Sequence, residues 1–353
     1  MEKMKEDLGS LGYRLPAEWG THASTWLSWP HQEEDWPGKF EPIPWVYCEI
    51  IRYLTSGEIV RLVTQNAQEK EKILALFKKT GINSERVGFI LAPTDRSWIR
   101  DFGPVFIKDN HGNKGIVDFV FNGWAKYDNW NQDNAIPNFV ASRLNYSTWK
   151  PVHNGCPVVL EGGSIDVDGE GTLITTEECL QSRIQERNPG FTKKDYEEVF
   201  SRYFGITKVL WLGQGIAGDD THGHVDDLTR FVAPGRVVTM VESNKSDPNY
   251  EPLRENHQRL AGMSDSRGKK LEVIKLPMPG PVEFAGQRLP ASYANFYIAN
   301  QVVLAPTFND PNDRVALNTL EELFPGRQVV GIHALDLLWG LGTLHCLSQQ
   351  EPL

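Results

Sequence analysis

QVVLAP (301–306), DPNDRVALNTLEELFPG (310–326) and QVVGIHAL (328–335) follow one another as strand, helix and strand. The same order appears upstream as RVVTMVE (236–242), NYEPLRENHQRLAGM (249–263) and LEVIKLP (271–277), and before that as TLITTE (172–177), TKKDYEEVFSRYFG (192–205) and KVLWLG (208–213). These three units begin about sixty-five residues apart, the length of one supersecondary unit per repeat. An earlier copy runs through EIVRLVTQN (58–66), AQEKEKILALFKKTG (67–81) and VGFILAP (87–93), where Ile73, Leu76 and Phe77 keep helical spacing and Gly81 stops the helix. Residues 103–160 supply a less regular unit. Repeated strand–helix–strand units predict an α/β protein closed into a pseudo-symmetric ring, with a doubly wound open sheet as the alternative. No Gly/Ser, Pro-rich or charged tract divides the chain, so a single domain over 1–353 is expected. The Trp-, His- and Pro-rich stretch 19–38 reads as irregular structure folded over something.

The repeat makes loop positions comparable. Asp101 lies about eleven residues past Ile90, His224 about fourteen past Leu210, and Cys346 about fourteen past Ile332, each in the loop after a unit's final strand. In a ring such loops meet at one mouth, and Glu161 of EGG (161–163) joins them. The densest of these loops is GDDTHGHVDD (218–227). Run extended, it would place Asp220, His222, His224 and Asp226 on one face. Three chemistries compete for that face: a metal held by His222, His224 and Asp226, a nucleotide loop through Gly213, Gly215 and Gly218, and metal-free acid/base work on a cation. The nucleotide reading is the weakest, because no amphipathic helix follows and the acids would face phosphate.

The net charge of −10, with no basic patch, argues against a nucleic-acid partner and suits a cationic ligand. The four cysteines, at 48, 156, 179 and 346, form no CxxC and suit a reducing compartment. MEKMKEDLGSLGYRLPAEW at the N-terminus has no signal-peptide core, and no run approaches membrane-spanning length. A cytoplasmic protein with no membrane partner is expected, and a homo-oligomer is compatible with the sequence.

Each residue also has a plainer reading. Cys346 alone would be a buried thiol, but it follows a glycine-bearing loop and His345 in a polar tail, the surroundings a low-pKa thiol needs. Cys48, Cys156 and Cys179 read as core. Asp101 beside Arg100 would otherwise be half of a surface ion pair, Glu161 would end a strand, and His222 would bond a loop carbonyl. Trp98 and Trp124 are core residues or stack on a planar cation. Acids with a Cys and a His, and no fourth strong metal ligand, favour nucleophilic catalysis on a cation.

WIRDFGP (98–104), FNGW (121–124), EGGS (161–164), GDDTHGHVDD (218–227), ASYANFYIAN (291–300) and HCLSQQEP (345–352) resemble, in order, the signature segments of bacterial agmatine deiminases. These belong to the guanidine-modifying superfamily, with arginine and peptidyl-arginine deiminases, and the likeness runs from PAEW (16–19) to the C-terminus. The resemblance implies a fivefold pseudo-symmetric α/β propeller with the active site on its axis. It also implies hydrolysis of a guanidinium without metal or organic cofactor. Asp101 and Asp226 would grip guanidinium nitrogens, Cys346 would attack the central carbon, and His224 would move the protons with Glu161 orienting it. Gly123-Trp124-Ala125 stands where relatives acting on peptidyl arginine carry arginines, which implies agmatine as substrate and N-carbamoylputrescine and ammonia as products. Asp220 would receive the agmatine amine and Asn295 would touch substrate. One departure is GLGTLHC (340–346), where Leu341 and Thr343 interrupt the glycine run that agmatine deiminases often carry. The alternatives are an arginine or peptidyl-arginine deiminase, a metal-dependent hydrolase using His222, His224 and Asp226, and a guanidine-binding protein without activity.

Overall fold

The computed structural model describes residues 7–353, so the first six residues of the N-terminal stretch judged above for a signal peptide lie outside the described residues. The strand–helix–strand order occurs five times. The units are Ile59–Thr64, Ala67–Thr80, Val87–Leu91; Lys114–Val117, Ile136–Leu144, Ser147–Trp149; Thr172–Thr176, Lys193–Phe204, Lys208–Leu212; Arg236–Val241, Tyr250–Gly262, Glu272–Pro277; and Val302–Thr307, Asn312–Leu323, Gln328–His333. In each, the two strands pair in parallel. The irregular unit expected within 103–160 is therefore a full copy, and the α/β class stands.

The units build five separate sheets of three or four strands, and no sheet closes on itself among the described residues. Four sheets gain an antiparallel strand ahead of the parallel pair: Val105–Lys108, Asp166–Val167, Thr229–Ala233 and Tyr297–Ile298. The remaining sheet gains His22–Ser28, parallel to Ile59–Thr64 on one side and antiparallel to Ser348–Pro352 on the other. Two expectations are corrected here. Part of 19–38 is a buried strand rather than irregular structure, and the polar tail after Cys346 is a strand that anchors the residue just before it.

Local signals set the helix ends. The Asn66 side chain accepts from the Glu69 N–H, lysines occupy the last turn, and Gly81 leaves at φ 70°. Thr192 and Asp195 form a reciprocal capping box, and Tyr196, Val199, Phe200, Tyr203 and Phe204 make one buried face. Each such ring or branched chain contributes about 1.5–3 kcal/mol by leaving water. Gly205 ends that helix at φ 65° against Arg14, whose guanidinium would lie 2.2 Å from any added Cβ, so only glycine serves there.

Between the apolar clusters lies a charged centre. Glu18 accepts from Arg230 at 2.8 Å, from Arg100 at 3.2 Å and from the Ile298 N–H at 2.8 Å, and Arg230 also pairs with Asp166. Buried charges persist only when paired and hydrogen-bonded, and every one of these is. Among the described residues, no helix is long and apolar enough to cross a membrane.

Candidate active site

Each of the five loops that follow a unit's final strand delivers a polar side chain to one place. Loop 92–104 ends in a short helix, Ile99–Phe102, that carries Asp101; loop 150–165 carries Glu161; loop 213–228 carries His224 and Asp226; loop 278–296 carries Asn295; and loop 334–347 carries Cys346. The five catalytic candidates are all buried, the most exposed being Cys346 at 6%.

Cys346 Sγ lies 3.8 Å from Asp226 Oδ2 and receives the Asn295 amide N–H at 3.1 Å. His224 sits between carboxylates, its Nδ1 3.8 Å from Asp101 Oδ1 and 4.0 Å from Asp226 Oδ1, its Nε2 3.8 Å from Glu161 Oε2. Glu161 takes a 3.1 Å bond from Arg187 Nε, and Asp101 accepts from Trp124 Nε1 and the Gly163 N–H, both at 2.9 Å. Both ring nitrogens of His224, Oδ1 of Asp226 and Oε2 of Glu161 have no protein partner. Buried polar atoms are rarely left so, and here they surround the space beside the thiol.

The electrostatics divide the roles. Burial works to lower the His224 pKa, but Asp101, Cys179 and Glu161 outweigh it and hold the imidazole well above its usual range, so it is a proton donor at rest. Burial would raise Glu161, yet the charges of Arg187 and His224 bring it down to about 2. Burial, with Asp226 and Glu161 adding to it against His224, pushes Asp101 up to about 6. Cys346 is pushed well above the usual thiol range by burial and then by Asp226, Asp227 and Asp101. This corrects the expectation of a low-pKa thiol: the surroundings are anionic, and the resting group is S–H.

A cavity of about 450 Å³ opens onto Cys346 and Asp101 and is walled by Trp98, Trp124, Tyr127, Asp220 and the Gly340–Gly342 turn. Trp98 and Trp124 are both buried and both line it. Asp220 lines the mouth, held by Lys126 and by the Tyr127 hydroxyl at 2.7 Å. Asn295 does not line the cavity. Its carbonyl accepts from Thr343 and His345 and its amide donates to Asp227 and Cys346, so its polar atoms hold the thiol and the loop before it; Glu161, His224 and Asp226 likewise lie outside that lining. Leu341 in the interrupted glycine run adopts φ 68°, a left-handed conformation costing a non-glycine residue about 1–2 kcal/mol. Gly340 and Gly342 flank it against the indoles of Trp36 and Trp98.

The extended face expected for 218–227 does not form. Gly218, His222 and Gly223 take positive φ, which breaks the alternation. His222 Nε2 instead meets the Ser182 hydroxyl at 2.8 Å, a side chain and not the loop carbonyl expected, and the set His222, His224 and Asp226 is not assembled. Among the described residues, the donors close enough to share an ion are Glu161, Cys179 and His224, within 4.8 Å of one another. Cys179 reads as core, and it is buried, but against the His224 imidazole. Cys156, also read as core, is exposed beside the turn at Gly155. Arg187, Glu18, Asp227 and His345 were not singled out, although Glu18 lies in PAEW (16–19), Asp227 closes GDDTHGHVDD (218–227) and His345 stands next to the thiol in sequence.

Gly163 makes the packing of the site testable. A Cβ there would lie 2.6 Å from His224 Nδ1, 2.9 Å from Asp101 Oδ1 and 3.1 Å from Asp226 Oδ2. Gly163→Ala is expected to lower kcat/KM about a hundredfold, the cost of ångström-scale misplacement, while the thermal midpoint moves little. Steady-state kinetics beside thermal unfolding check this.

Small α/β sheets whose loops converge on buried acids, an imidazole and a thiol define an enzyme of the guanidine-modifying class. The chain matches the Porphyromonas-type peptidyl-arginine deiminase family over residues 14–352 and belongs to that family. It is 37% identical to a Listeria monocytogenes protein provisionally named agmatine deiminase 2, over 97% of this chain and 95% of that protein. The agmatine deiminase of Enterococcus faecalis superposes with a TM-score of 0.90 at 31% identity, covering 98% of both chains. A substrate-bound agmatine deiminase of C. jejuni gives 0.84 at 28% identity over 96% of both.

Proposed function

We propose that this chain hydrolyses agmatine to N-carbamoylputrescine and ammonia through an amidino-cysteine on Cys346, without a metal. The observation that carries the reading is the acid-walled cavity ending at Cys346 and Asp101. Its lining holds Glu34, Asp35, Asp101, Asp128 and Asp220 against one arginine, Arg96, which is engaged by Asp35 and Asn129. Such a wall favours a substrate that is cationic at both ends and leaves no free arginine for the carboxylate of arginine. The curated relatives named agmatine deiminases support the same choice.

In this reading Asp101 and Asp226 grip the planar guanidinium as charge-assisted acceptors. The bound cation offsets the anionic surroundings of Cys346, and the thiol proton leaves to solvent. The thiolate adds to the guanidinium carbon, His224 gives its proton to the departing ammonia, and an amidino-cysteine remains. Water then yields a proton to His224 and attacks the same carbon; the C–S bond breaks and the urea product leaves with the thiolate restored. Glu161, held by Arg187, keeps the imidazolium charged and in place. We also read the five sheets as blades of one pseudo-fivefold domain around this site, in a cytoplasmic protein.

Asp101→Asn and Asp226→Asn should each lower kcat/KM about 10²- to 10³-fold with a raised KM, because each leaves a buried guanidinium donor without its charged acceptor. Because Asp101 must be ionised to grip, kcat/KM should fall as pH drops through about 6. The function itself is tested by ammonia release from agmatine, arginine and a blocked peptidyl arginine, with and without chelator. Chelator-resistant release from agmatine is the expected result; release only from an arginine substrate, or activity lost with chelator, contradicts it.

A further inference from the structure

His345 directly precedes the nucleophile, yet the chemistry above does not use it. Its ring is 3% exposed, with Nδ1 2.7 Å from Asp226 Oδ2 and Nε2 2.8 Å from Glu18 Oε2. Carboxylate oxygens of ionised acids only accept hydrogen bonds, and each of these acids also faces cations other than His345. Glu18 pairs with Arg230 and Arg100, and Asp226 turns its unpartnered Oδ1 toward His224. A ring that meets a carboxylate at each nitrogen can donate from both only as an imidazolium. Asn295 fixes the backbone beneath it, accepting the His345 N–H on its side-chain oxygen at 3.0 Å and on its main-chain oxygen at 3.1 Å.

We infer that His345 is a cationic positioning residue that holds Asp226 ionised and aimed at the substrate guanidinium, an inference that rests on the deimination proposed above. The groups facing Asp226 are His345, His224 and Arg230 on the positive side, and Asp101, Asp227 and the Cys346 thiol on the other. Those facing His345 are Asp226, Glu18 and Asp166 on the negative side, and Arg100, which donates to the His345 carbonyl at 3.3 Å, on the positive side. Burial works to raise the Asp226 pKa, and the bond and charge of His345 bring it below the usual carboxylate range. Without that cation, Asp226 lies among buried acids, takes a proton and loses its grip. Glu18 would keep Arg100, Arg230 and the Ile298 N–H, so the charged centre survives the change.

The test is His345→Gln, assayed beside the unmutated enzyme by ammonia release from agmatine across pH. The expected result is a KM raised about a hundredfold near neutrality, the size carried by losing one partner of a buried ion pair. The acid limb of kcat/KM should move up by about one pH unit or more and steepen, because Asp226 now titrates along with Asp101. Raising the pH should restore KM, which repair of a merely structural defect would not do. In an Asp226→Asn background the substitution should cost almost nothing further. A lowered kcat with unmoved KM and pH profile, or full additivity with Asp226→Asn, overturns the inference. Failure of the unmutated enzyme to release ammonia from agmatine would instead contradict the function. Nuclear magnetic resonance of the unmutated protein, with 15N-labelled histidine assigned through bonds to its backbone, tests His345 apart from activity and from the variant's folding. Protons on both ring nitrogens support the inference, and a single ring N–H overturns it.

Discussion

Cys346→Ser is expected to lower turnover by about 10⁵-fold or more while leaving the fold and substrate binding in place. The two side chains have nearly the same shape, and the Asn295 amide that donates to Sγ at 3.1 Å can donate equally to a hydroxyl. What changes is acidity. The thiol is already pushed up by burial and by Asp226, Asp227 and Asp101, and only a bound guanidinium brings its ionisation within reach. A hydroxyl starts several units higher, so the same cation is not enough, and no neutral base stands ready because His224 rests protonated. Ammonia assays, calorimetric binding of agmatine and thermal unfolding on one preparation check the three parts. Retained turnover would remove Cys346 from the mechanism.

His224→Gln is expected to lower kcat about 10³- to 10⁴-fold, with KM moving far less. The glutamine amide can donate to Asp101 or Glu161 but cannot release a proton to the departing ammonia or take one from water. The substitution also removes the main cation facing Asp101, so the acid limb near 6 should move upward. Rapid-quench kinetics on agmatine separate the two roles: slow adduct formation reports the lost acid, and slow adduct decay the lost base. An unchanged kcat would move acid/base work to another group.

The legible part of this fold lies in its longest apolar elements. Val302–Thr307, Arg236–Val241 and Lys208–Leu212 are β-branched and aliphatic runs ahead of or behind helices of twelve or thirteen residues, and their period is carried by composition. Asp166–Val167 and Tyr297–Ile298 are strands of two residues, too short for any periodicity, and only tertiary pairing makes them strands. Ser348–Pro352 read as a polar tail because nothing local shows that Gln349 Nε2 donates to the Pro104 carbonyl and that Gln350 Oε1 accepts from Arg100, while Ser348 bonds back to the Leu344 carbonyl.

The site shows the same division. Asp101, Glu161, His224, Asp226 and Cys346 stood out because acids, histidine and cysteine recur at matching loop positions and in ordered family segments. The proposed face of 218–227 failed because positive φ at His222 and Gly223 turns the chain where alternation was assumed. The thiol environment was misjudged because the acids that surround it arrive from other loops. Arg187 and Cys179 reach the site across long sequence separations, with nothing local to mark them, and Glu18 was legible only as part of PAEW (16–19).

The central claim is that agmatine carbon becomes bonded to Cys346, and intact-protein mass spectrometry of acid-quenched enzyme during turnover tests it most directly. The account predicts a species heavier by agmatine less one ammonia, mapped by peptide digestion to Cys346, absent from Cys346→Ser and accumulating in His224→Gln. Ammonia release with unmodified enzyme at every quench time in all three proteins, or the added mass on another residue, would contradict it.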